Sequence, residues 1–153
     1  MTIRDMKLED YDAVDTLMQQ LHKIHVNGRP DLYVEMEHPY SKEELTEKIY
    51  NKEVIALAAE EEDRIVGLCI VVIKHRSGMV NMKTAYVDDL VVDQSYQRRG
   101  IAKSLFQKAE ERAKALGAER MDLTVWSFNE NALKFYQSIG MVPQRYILEK
   151  PLR

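Results

Sequence analysis

A polar turn lies between a predicted strand and a predicted helix, and its residue types suit phosphate binding. The strand ends at Val92, and the helix begins near Gly100, where the missing Cβ leaves room for a ligand. The first amides of a helix have no partner within it and lie at the positive end of its dipole, so a pyrophosphate can accept several of them. Arg98, Arg99 and Lys103 add positive charge for phosphate oxygens. The residues alone are also compatible with a basic turn that is exposed to solvent and binds no ligand.

Two other phosphate-binding motifs fit this turn less well. Lys103 and Ser104 match the end of a Walker loop, but Gln97 and Ala102 stand where that loop needs glycine. The Gly-x-Gly-x-x-Gly fingerprint of dinucleotide-binding proteins does not occur in the sequence. The turn therefore predicts a phosphate site of another kind.

The histidines and the single cysteine do not indicate a metal site or a nucleophile. His22 and His25 lie three residues apart on one predicted helix, but no cysteine or further histidine accompanies them. Cys69 lies inside an apolar run over residues 65–73, which favours a small buried side chain. We expect no metal.

These residues must be positioned by strands and helices that the sequence also predicts. Apolar residues at spacings of three and four predict a helix over residues 8–24, and Ser41 with Glu44 forms a capping box that begins a second helix. Two β-branched runs, 54–59 and 65–73, predict a hairpin. The other predicted elements are strands over 2–6, 85–92, 121–126 and 141–148, helices over 100–116 and 129–138, a loop over 27–40 and a turn near Ser77 and Gly78.

The order of these elements predicts the fold class. The sequence β-α-α-β-β-β-α-β-α-β indicates an α/β fold with a mixed β-sheet flanked by helices. The chain has 153 residues and shows no repeat or linker, so we expect a single domain over residues 1–153.

The composition indicates which cellular compartment and which classes of partner to expect. One cysteine cannot form an internal disulfide, which favours a reducing cytoplasm. The start of the sequence has no apolar signal-peptide core, and no apolar stretch approaches the ~20 residues of a membrane span. A net charge of −3 gives no support to a general nucleic-acid binder. We therefore expect a cytoplasmic protein without a membrane or nucleic-acid partner.

Two segments resemble the GNAT superfamily of N-acetyltransferases. Residues 97–102 resemble its Gln/Arg-x-x-Gly-x-Gly/Ala signature, and residues 88–93 before them resemble its fourth strand. Residues 129–141 resemble its Asn-x-x-Ala-x-x-x-Tyr-x-x-x-Gly-Phe segment, with Met141 in place of phenylalanine. The two segments have the family's separation, and the element order matches throughout, so the resemblance covers nearly the entire chain.

The resemblance implies a site for acetyl-coenzyme A. In this family the pantetheine arm pairs with the backbone of the fourth strand, and the pyrophosphate lies on the amides of the turn. Asn129 matches an asparagine that reaches the pantetheine arm; it could instead cap a helix, although Ser127 with Glu130 is a competing cap. The cofactor-binding residues so implied are Leu90, Val91, Val92, Gln97, Arg98, Arg99, Gly100, Ile101, Ala102, Lys103 and Asn129.

The resemblance also implies catalytic residues. Tyr136 matches a tyrosine that faces the cofactor sulfur and can protonate the leaving thiolate, although a core aromatic is the alternative. The base is expected on the fourth strand, at Asp88 or Asp89, because Thr124 stands where relatives on the fifth strand often carry glutamate. Successive strand side chains point to opposite faces, so at most one of the two should face the cleft, and we favour Asp88.

The implied activity is acetyl transfer from acetyl-coenzyme A to a primary amine by direct attack in a ternary complex. The acceptor, a small-molecule or peptide amine, is expected to be selected by the first two helices, the 27–40 loop and the region near Trp126. The alternative from another class is a regulatory domain that binds coenzyme A without useful catalysis. The resemblance also leaves a homodimer open.

Overall fold

A five-stranded mixed sheet organises the chain in the computed structural model, which describes residues 1–75, 78 and 80–153. The strands pair in the order β1-β2-β3-β4-β5, antiparallel throughout except for the parallel pair β4 and β5. The strands are β1 (Thr2–Asp5), β2 (Val54–Glu61), β3 (Arg64–His75), β4 (Lys83–Val92) and β5 (Ala118–Asp122). The helices are α1 (Tyr11–Gly28), α2 (Lys42–Tyr50), α3 (Ile101–Ala115) and α4 (Glu130–Ser138).

Both faces of the sheet are covered, as the element order predicts. Successive residues of β3 alternate between two buried clusters, with Leu68 and Ile70 in one and Cys69 and Val71 in the other. The first cluster packs against α1 and α2 through Val14, Leu17, Met18 and Leu45. The second packs against α3 through Ile101, Leu105, Phe106, Ala109 and Ala113. Burial on both faces explains why β3 reads as a continuous apolar run rather than an alternating one.

Local signals in the sequence account for several boundaries. The capping box before α2 is formed, since Ser41 Oγ accepts from the Glu44 amide and Glu44 Oε1 accepts from the Ser41 amide, both at 3.1 Å. The tight turn between β2 and β3 uses left-handed backbone at Glu62 and Asp63. The turn predicted near Ser77 and Gly78 is described only at Gly78, because Ser77 lies outside the described residues.

The fifth strand lies earlier than the sequence predicts. It was expected over residues 121–126 but spans Ala118–Asp122, and its pairing with β4 ends where Tyr86 faces Asp122. Just beyond that point β4 carries a bulge at Asp88. A bulge bends its strand and increases the local twist, so β4 turns away and residues 123–126 lose their ladder.

The prediction of a last strand over residues 141–148 is also wrong. Residues 141–148 have no regular secondary structure, and the sheet ends at β5. A strand exists only where a neighbour supplies a hydrogen-bonding ladder, and the pattern of side chains cannot supply that neighbour. The apolar pattern over 141–148 thus lacks a partner among the described residues.

Candidate functional site

The bulge at Asp88 opens one edge of β4 near its carboxyl end. Beyond the bulge, Leu90, Val91 and Val92 still pair with β3 on one side. On the other side, the pairing with β5 stops at Tyr86, so among the described residues no strand covers their second edge. Val91 and Val92 are buried, so their side chains belong to the core while their backbone borders the gap. An extended polar chain can pair with such an edge.

Hydrogen bonds shape the turn after β4. The carboxylate of Asp93 accepts from the Ser95 amide at 2.9 Å, and the Gln97 side-chain amide donates to the Val92 carbonyl at 3.3 Å. The chain then needs left-handed backbone twice, at Arg98 (φ 65°) and at Gly100 (φ 78°). Glycine adopts that conformation at no steric cost, which explains the residue type at position 100.

The first turn of α3 contains amides that have no partner within the helix. The first intrahelical bond runs from the Ser104 amide to the Gly100 carbonyl at 3.0 Å, so the amides of Ile101, Ala102 and Lys103 precede the helix's own ladder. A Cβ built on Gly100 would meet nothing within 4 Å. Unpartnered amides, a small residue and a helix N-terminus are the features with which proteins commonly bind phosphate groups.

Two arginines near this turn contact one aromatic ring. The guanidinium of Arg99 lies 4.8 Å from the ring centroid of Tyr96, and that of Arg64 lies 5.8 Å from it. Stacking restricts the long Arg99 side chain and keeps its charge beside the turn. Arg98 is exposed. The sequence analysis missed Tyr96 and Arg64, because no spacing rule links β3 to this turn.

The two carboxylates of the bulge approach the same neighbouring segment. Asp89 accepts a hydrogen bond from the Tyr40 hydroxyl at 2.5 Å, and Asp88 lies 3.9 Å from the ammonium of Lys48. Lys48 itself lies 5.1 Å from the ring centroid of Tyr40. The strict alternation expected for Asp88 and Asp89 therefore does not hold, because a bulge inserts one residue and interrupts the period of two.

The environment of Asp89 favours its neutral form. Burial raises the pKa of Asp89 from 3.8 to about 6, the Tyr40 hydrogen bond opposes that rise, and Asp88 adds to it. A carboxyl with a pKa near 6 is ionised at neutral pH and accepts a proton readily. Tyr40 was not identified from the sequence, since it lies in a loop without a periodic pattern.

Tyr136 lies within the cluster on the α3 side of the sheet. Its ring lies 6.4 Å from that of Phe106 and 5.3 Å from that of Phe135. Burial raises the pKa of the Tyr136 hydroxyl, and nearby Cys69 and Asp89 raise it further. The hydroxyl is therefore protonated at neutral pH and can donate. Cys69 is fully buried, and burial raises its pKa to about 12, so it remains an inert thiol, as expected.

Asn129 caps helix α4. Its side-chain oxygen accepts from the Ala132 amide at 3.3 Å, so the competing cap by Ser127 and Glu130 does not form. An asparagine used this way keeps its amide hydrogens for other contacts. The capping role thus agrees with the alternative given above and leaves the ligand role of Asn129 as a prediction.

Aromatic side chains gather where the loop after α1 meets the segment after β5, the two regions expected to select the acceptor. The Trp126 indole donates to the Tyr33 hydroxyl at 2.8 Å, and the His25 and Tyr33 rings stack with centroids 5.1 Å apart. The guanidinium of Arg29 lies 5.1 Å from the Trp126 ring. The loop after α1 and the segment after β5 are therefore in direct contact, and no spacing rule predicts the individual residue pairs.

The described residues give no support to a metal site or to a membrane-spanning helix. Within residues 1–75, 78 and 80–153, no group of three or more His, Cys, Asp or Glu side chains could hold a metal ion. Over the same residues, none of the helices combines the length and the apolar character needed to cross a membrane.

Comparison with known proteins identifies the fold and the family. The model of the acetyltransferase (GNAT) family matches residues 18–141. The structure superimposes on that of a mutant BH1408 protein from Bacillus halodurans with a TM-score of 0.96 and 28% identity, over 100% of both chains. An aminoglycoside N-acetyltransferase, AAC(6')-Iy, solved in complex with CoA, has the same fold, with a TM-score of 0.76 and 18% identity over 99% of both chains.

Curated relatives match over shorter segments. An uncharacterized N-acetyltransferase, YdgE from Bacillus subtilis, is 33% identical over 70 residues, which are 46% of this chain and 45% of that protein. An L-ornithine N5-acetyltransferase, NATA1 from Arabidopsis thaliana, is 33% identical over 55 residues, which are 36% of this chain and 24% of that protein. The matched segments thus span less than half the length of these relatives.

Proposed function

The chain belongs to the acetyltransferase (GNAT) family, and from this premise we propose that it transfers an acetyl group from acetyl-coenzyme A to a primary amine by direct attack in a ternary complex. One observation supports the proposal above the others. The open edge of β4 leads into a turn whose first helical amides, at Ile101, Ala102 and Lys103, precede the helix's own ladder, and a Cβ on Gly100 would meet nothing within 4 Å. A ligand that is a polar chain ending in a pyrophosphate suits both parts.

That geometry supports the proposed cofactor residues. The backbone of Leu90, Val91 and Val92 would pair with the pantetheine arm, and the amides from Gly100 to Lys103 would receive the pyrophosphate. Acetyl-coenzyme A, when bound, supplies the activated acetyl thioester. The remaining residues proposed to contact it are Gln97, Arg98, Arg99 and Asn129.

The carboxylates of the bulge are proposed to supply the base. An amine is mostly protonated at neutral pH and must lose a proton to attack. Asp88 is the more accessible of the two, and we assign it the proton. Asp89 is the second candidate, because its pKa of about 6 suits a general base and its bond to Tyr40 fixes its position.

Tyr136 is proposed to assist the leaving thiolate. Its raised pKa keeps it protonated, so its hydroxyl can donate a hydrogen bond to the sulfur as negative charge develops. Complete proton transfer to a thiolate of reference pKa ~8.5 would be uphill from so weak an acid. The hydrogen bond, which strengthens with the developing charge, is therefore the larger contribution we expect.

The acceptor is proposed to be a cationic amine, in a small molecule or a peptide. The carboxylates of Asp88 and Asp89 border the site and favour an incoming ammonium group. The rings of Tyr33 and Trp126 offer aromatic faces nearby. Relatives are named for ornithine and for aminoglycosides, which both carry such amines.

A binding and turnover experiment tests the proposal. Coenzyme A at 100 times its dissociation constant should stabilise the protein by about 2.7 kcal/mol, or roughly 5–10 °C in melting temperature. Gly100→Glu should abolish that rise, because a charged side chain would fill the phosphate position. Gly78→Glu is the matched control, since Gly78 has nearly the same φ and equally open surroundings. A normal rise in a folded Gly100→Glu protein would defeat the assignment.

The same preparations separate an enzyme from a coenzyme A-binding regulatory domain. Acetyl-coenzyme A turnover is measured over ornithine, lysine, polyamines, aminoglycosides and peptide N-termini. Turnover that Gly100→Glu removes and Gly78→Glu retains supports the transferase. A full coenzyme A shift with no turnover on any amine class supports the regulatory domain.

A further inference from the structure

A lysine on β3 lies over a tyrosine ring of β4, at the point where β4 and β5 separate. The Lys74 ammonium is 4.2 Å from the centroid of the Tyr86 ring, and Tyr86 is the last residue of β4 that pairs with β5. The Tyr86 hydroxyl lies 2.8 Å from that of Thr124, in the segment that follows β5. This hydrogen bond fixes the ring, and the attraction between ring and cation positions the exposed ammonium beside the gap.

Lys74 lies on the same face of the sheet as the carboxylate of Asp89. Tyr86, under the ammonium, pairs with Val72 of β3. Asp89 pairs with Ile70, two residues earlier on that strand. Residues two apart on a strand share a face, and Ile70 belongs to the cluster that packs against α1 and α2. The cation over Tyr86 and the acidic group are therefore separated by about 7 Å along the strand, on one face.

The charge of Lys74 is not balanced by an acidic side chain. Among residues 1–75, 78 and 80–153, no Asp or Glu lies within ion-pair distance of Lys74. The Arg29 guanidinium, in contrast, is already paired with Asp31 at 2.9 Å and with Glu149 at 2.8 Å. Lys48 lies 3.9 Å from a carboxylate of the bulge. Of these three cations in the described chain, Lys74 is the one whose charge is left for an anionic ligand.

We propose that the acceptor carries a carboxylate, which binds the Lys74 ammonium while the reacting amine lies beside Asp88 and Asp89. This inference rests on the proposed function and narrows its acceptor to an amino acid that reacts through an amine at the far end of its carbon chain. Five extended bonds of about 1.2 Å each place such an amine about 6 Å from the carboxylate, which matches the separation along β4.

Two other classes of amine suit this arrangement less well. The α-amine of an amino acid is only two bonds from its own carboxylate, so it cannot reach the acidic residues while the carboxylate stays at Lys74. A polyamine or an aminoglycoside would bring a second ammonium group to Lys74, and like charges repel each other. The spacing and the charge of the site therefore both favour an amine with a distant carboxylate.

Three acceptors that differ in one group test the proposal. The compounds 5-aminopentanoate, pentylamine and putrescine share an amine on a four-carbon chain, and the chain ends in a carboxylate, a methyl group or a second ammonium group. We expect kcat/KM for 5-aminopentanoate to exceed that for pentylamine about 10-fold, with putrescine the poorest, because the carboxylate gains a charge-assisted contact.

Variants of the lysine assign this preference to its charge. Lys74→Gln should remove the preference for 5-aminopentanoate, mainly through KM, whereas Lys74→Arg should retain it. Lys114→Gln is the matched control, since Lys114 is an exposed lysine near the end of α3, which packs against the opposite face of the sheet. It should leave all three acceptors unchanged.

Several outcomes would overturn the proposal. An active wild-type enzyme that uses pentylamine as well as 5-aminopentanoate would do so, and this comparison needs no variant to fold. A preference that persists in Lys74→Gln, or that Lys114→Gln reduces equally, would do the same. If no amine is turned over, the proposed function fails by itself, and calorimetric binding in the presence of coenzyme A tests the carboxylate site. A preference for 5-aminopentanoate that depends on Lys74 would then support the site, and its absence would refute it.

Discussion

The buried carboxyl of Asp89 predicts a variant that is more stable than the wild type at neutral pH. A pKa raised from 3.8 to about 6 means that the folded state holds the Asp89 proton more tightly than the unfolded state does. The stability that this group contributes is complete below pH 3.8 and is lost as the pH rises toward 6. At 1.36 kcal/mol per pKa unit, the charged form costs up to about 3 kcal/mol at neutral pH.

Asp89→Asn removes that charge while it retains the size and an oxygen that can accept from Tyr40. Its free energy of unfolding should exceed that of the wild type by as much as about 3 kcal/mol at pH 7.5, equivalent to roughly 6–12 °C in melting temperature. The difference should shrink toward zero as the pH falls to 4, where the wild-type carboxyl is protonated.

Denaturant unfolding monitored by circular dichroism between pH 4 and pH 8 measures this difference. Asp63→Asn is the matched control, because Asp63 is exposed in a left-handed turn that asparagine tolerates. Its free energy of unfolding should stay within about 0.5 kcal/mol of the wild type at every pH. If Asp89→Asn changes stability by the same amount at pH 4 and pH 7.5, burial of the charge is not the cause and the reasoning fails.

Three further substitutions probe the same site. Tyr136→Phe keeps the ring but loses the hydrogen-bond donor, so kcat and kcat/KM should both fall by ~10²–10³-fold in steady-state kinetics, while the coenzyme A thermal shift is unchanged. Unaltered turnover would remove Tyr136 from the mechanism. Asp88→Asn should lower turnover and alter the acidic limb of the pH–rate profile, and a wild-type profile would exclude Asp88 as the base. Tyr40→Phe deletes a bond that lowers the pKa of Asp89, so carbon-13 NMR should place that pKa above about 6, and an unchanged value would contradict the bond's role.

Most of the fold can be predicted from local patterns in the sequence. The capping box at Ser41, the apolar period of α1 and the glycine at position 100 each act within one or two turns of chain, so their effects can be predicted without knowledge of the rest. The strands over 121–126 and 141–148 could not be placed correctly in this way. A strand requires a neighbour, and the neighbour is a property of the assembled sheet.

The candidate site likewise has a part that could be predicted from the sequence and a part that could not. The turn after β4 and its amides lie on consecutive residues, so a short sequence motif is enough to predict them. The Tyr40 contact to Asp89 spans 49 positions in sequence, and the Trp126 contact to Tyr33 spans 93. Such contacts bring together a loop and a strand that share no periodicity. No spacing rule applies to them, which is why Tyr40, Tyr33 and Arg64 were missed.

A single extra residue in β4 accounts for several properties of the site together. The register passes from Val87 opposite Val71 to Asp89 opposite Ile70, so Asp88 is the inserted residue. The insertion interrupts the alternation of side chains, and both carboxylates then approach the Tyr40 to Lys48 segment.

The same insertion explains the gap between β4 and β5. Pairing with β5 ends at Tyr86, two residues before Asp88, and the backbone of the next residues is left with an open edge. The bend that opens the cleft for a ligand thus also sets the acidic residues at its margin. The proposed cofactor site and the proposed base therefore depend on the same bulge. Deletion of Asp88, which restores the regular register, should abolish both the coenzyme A thermal shift and turnover. A deletion variant that folds and still binds coenzyme A normally would separate the cleft from the bulge.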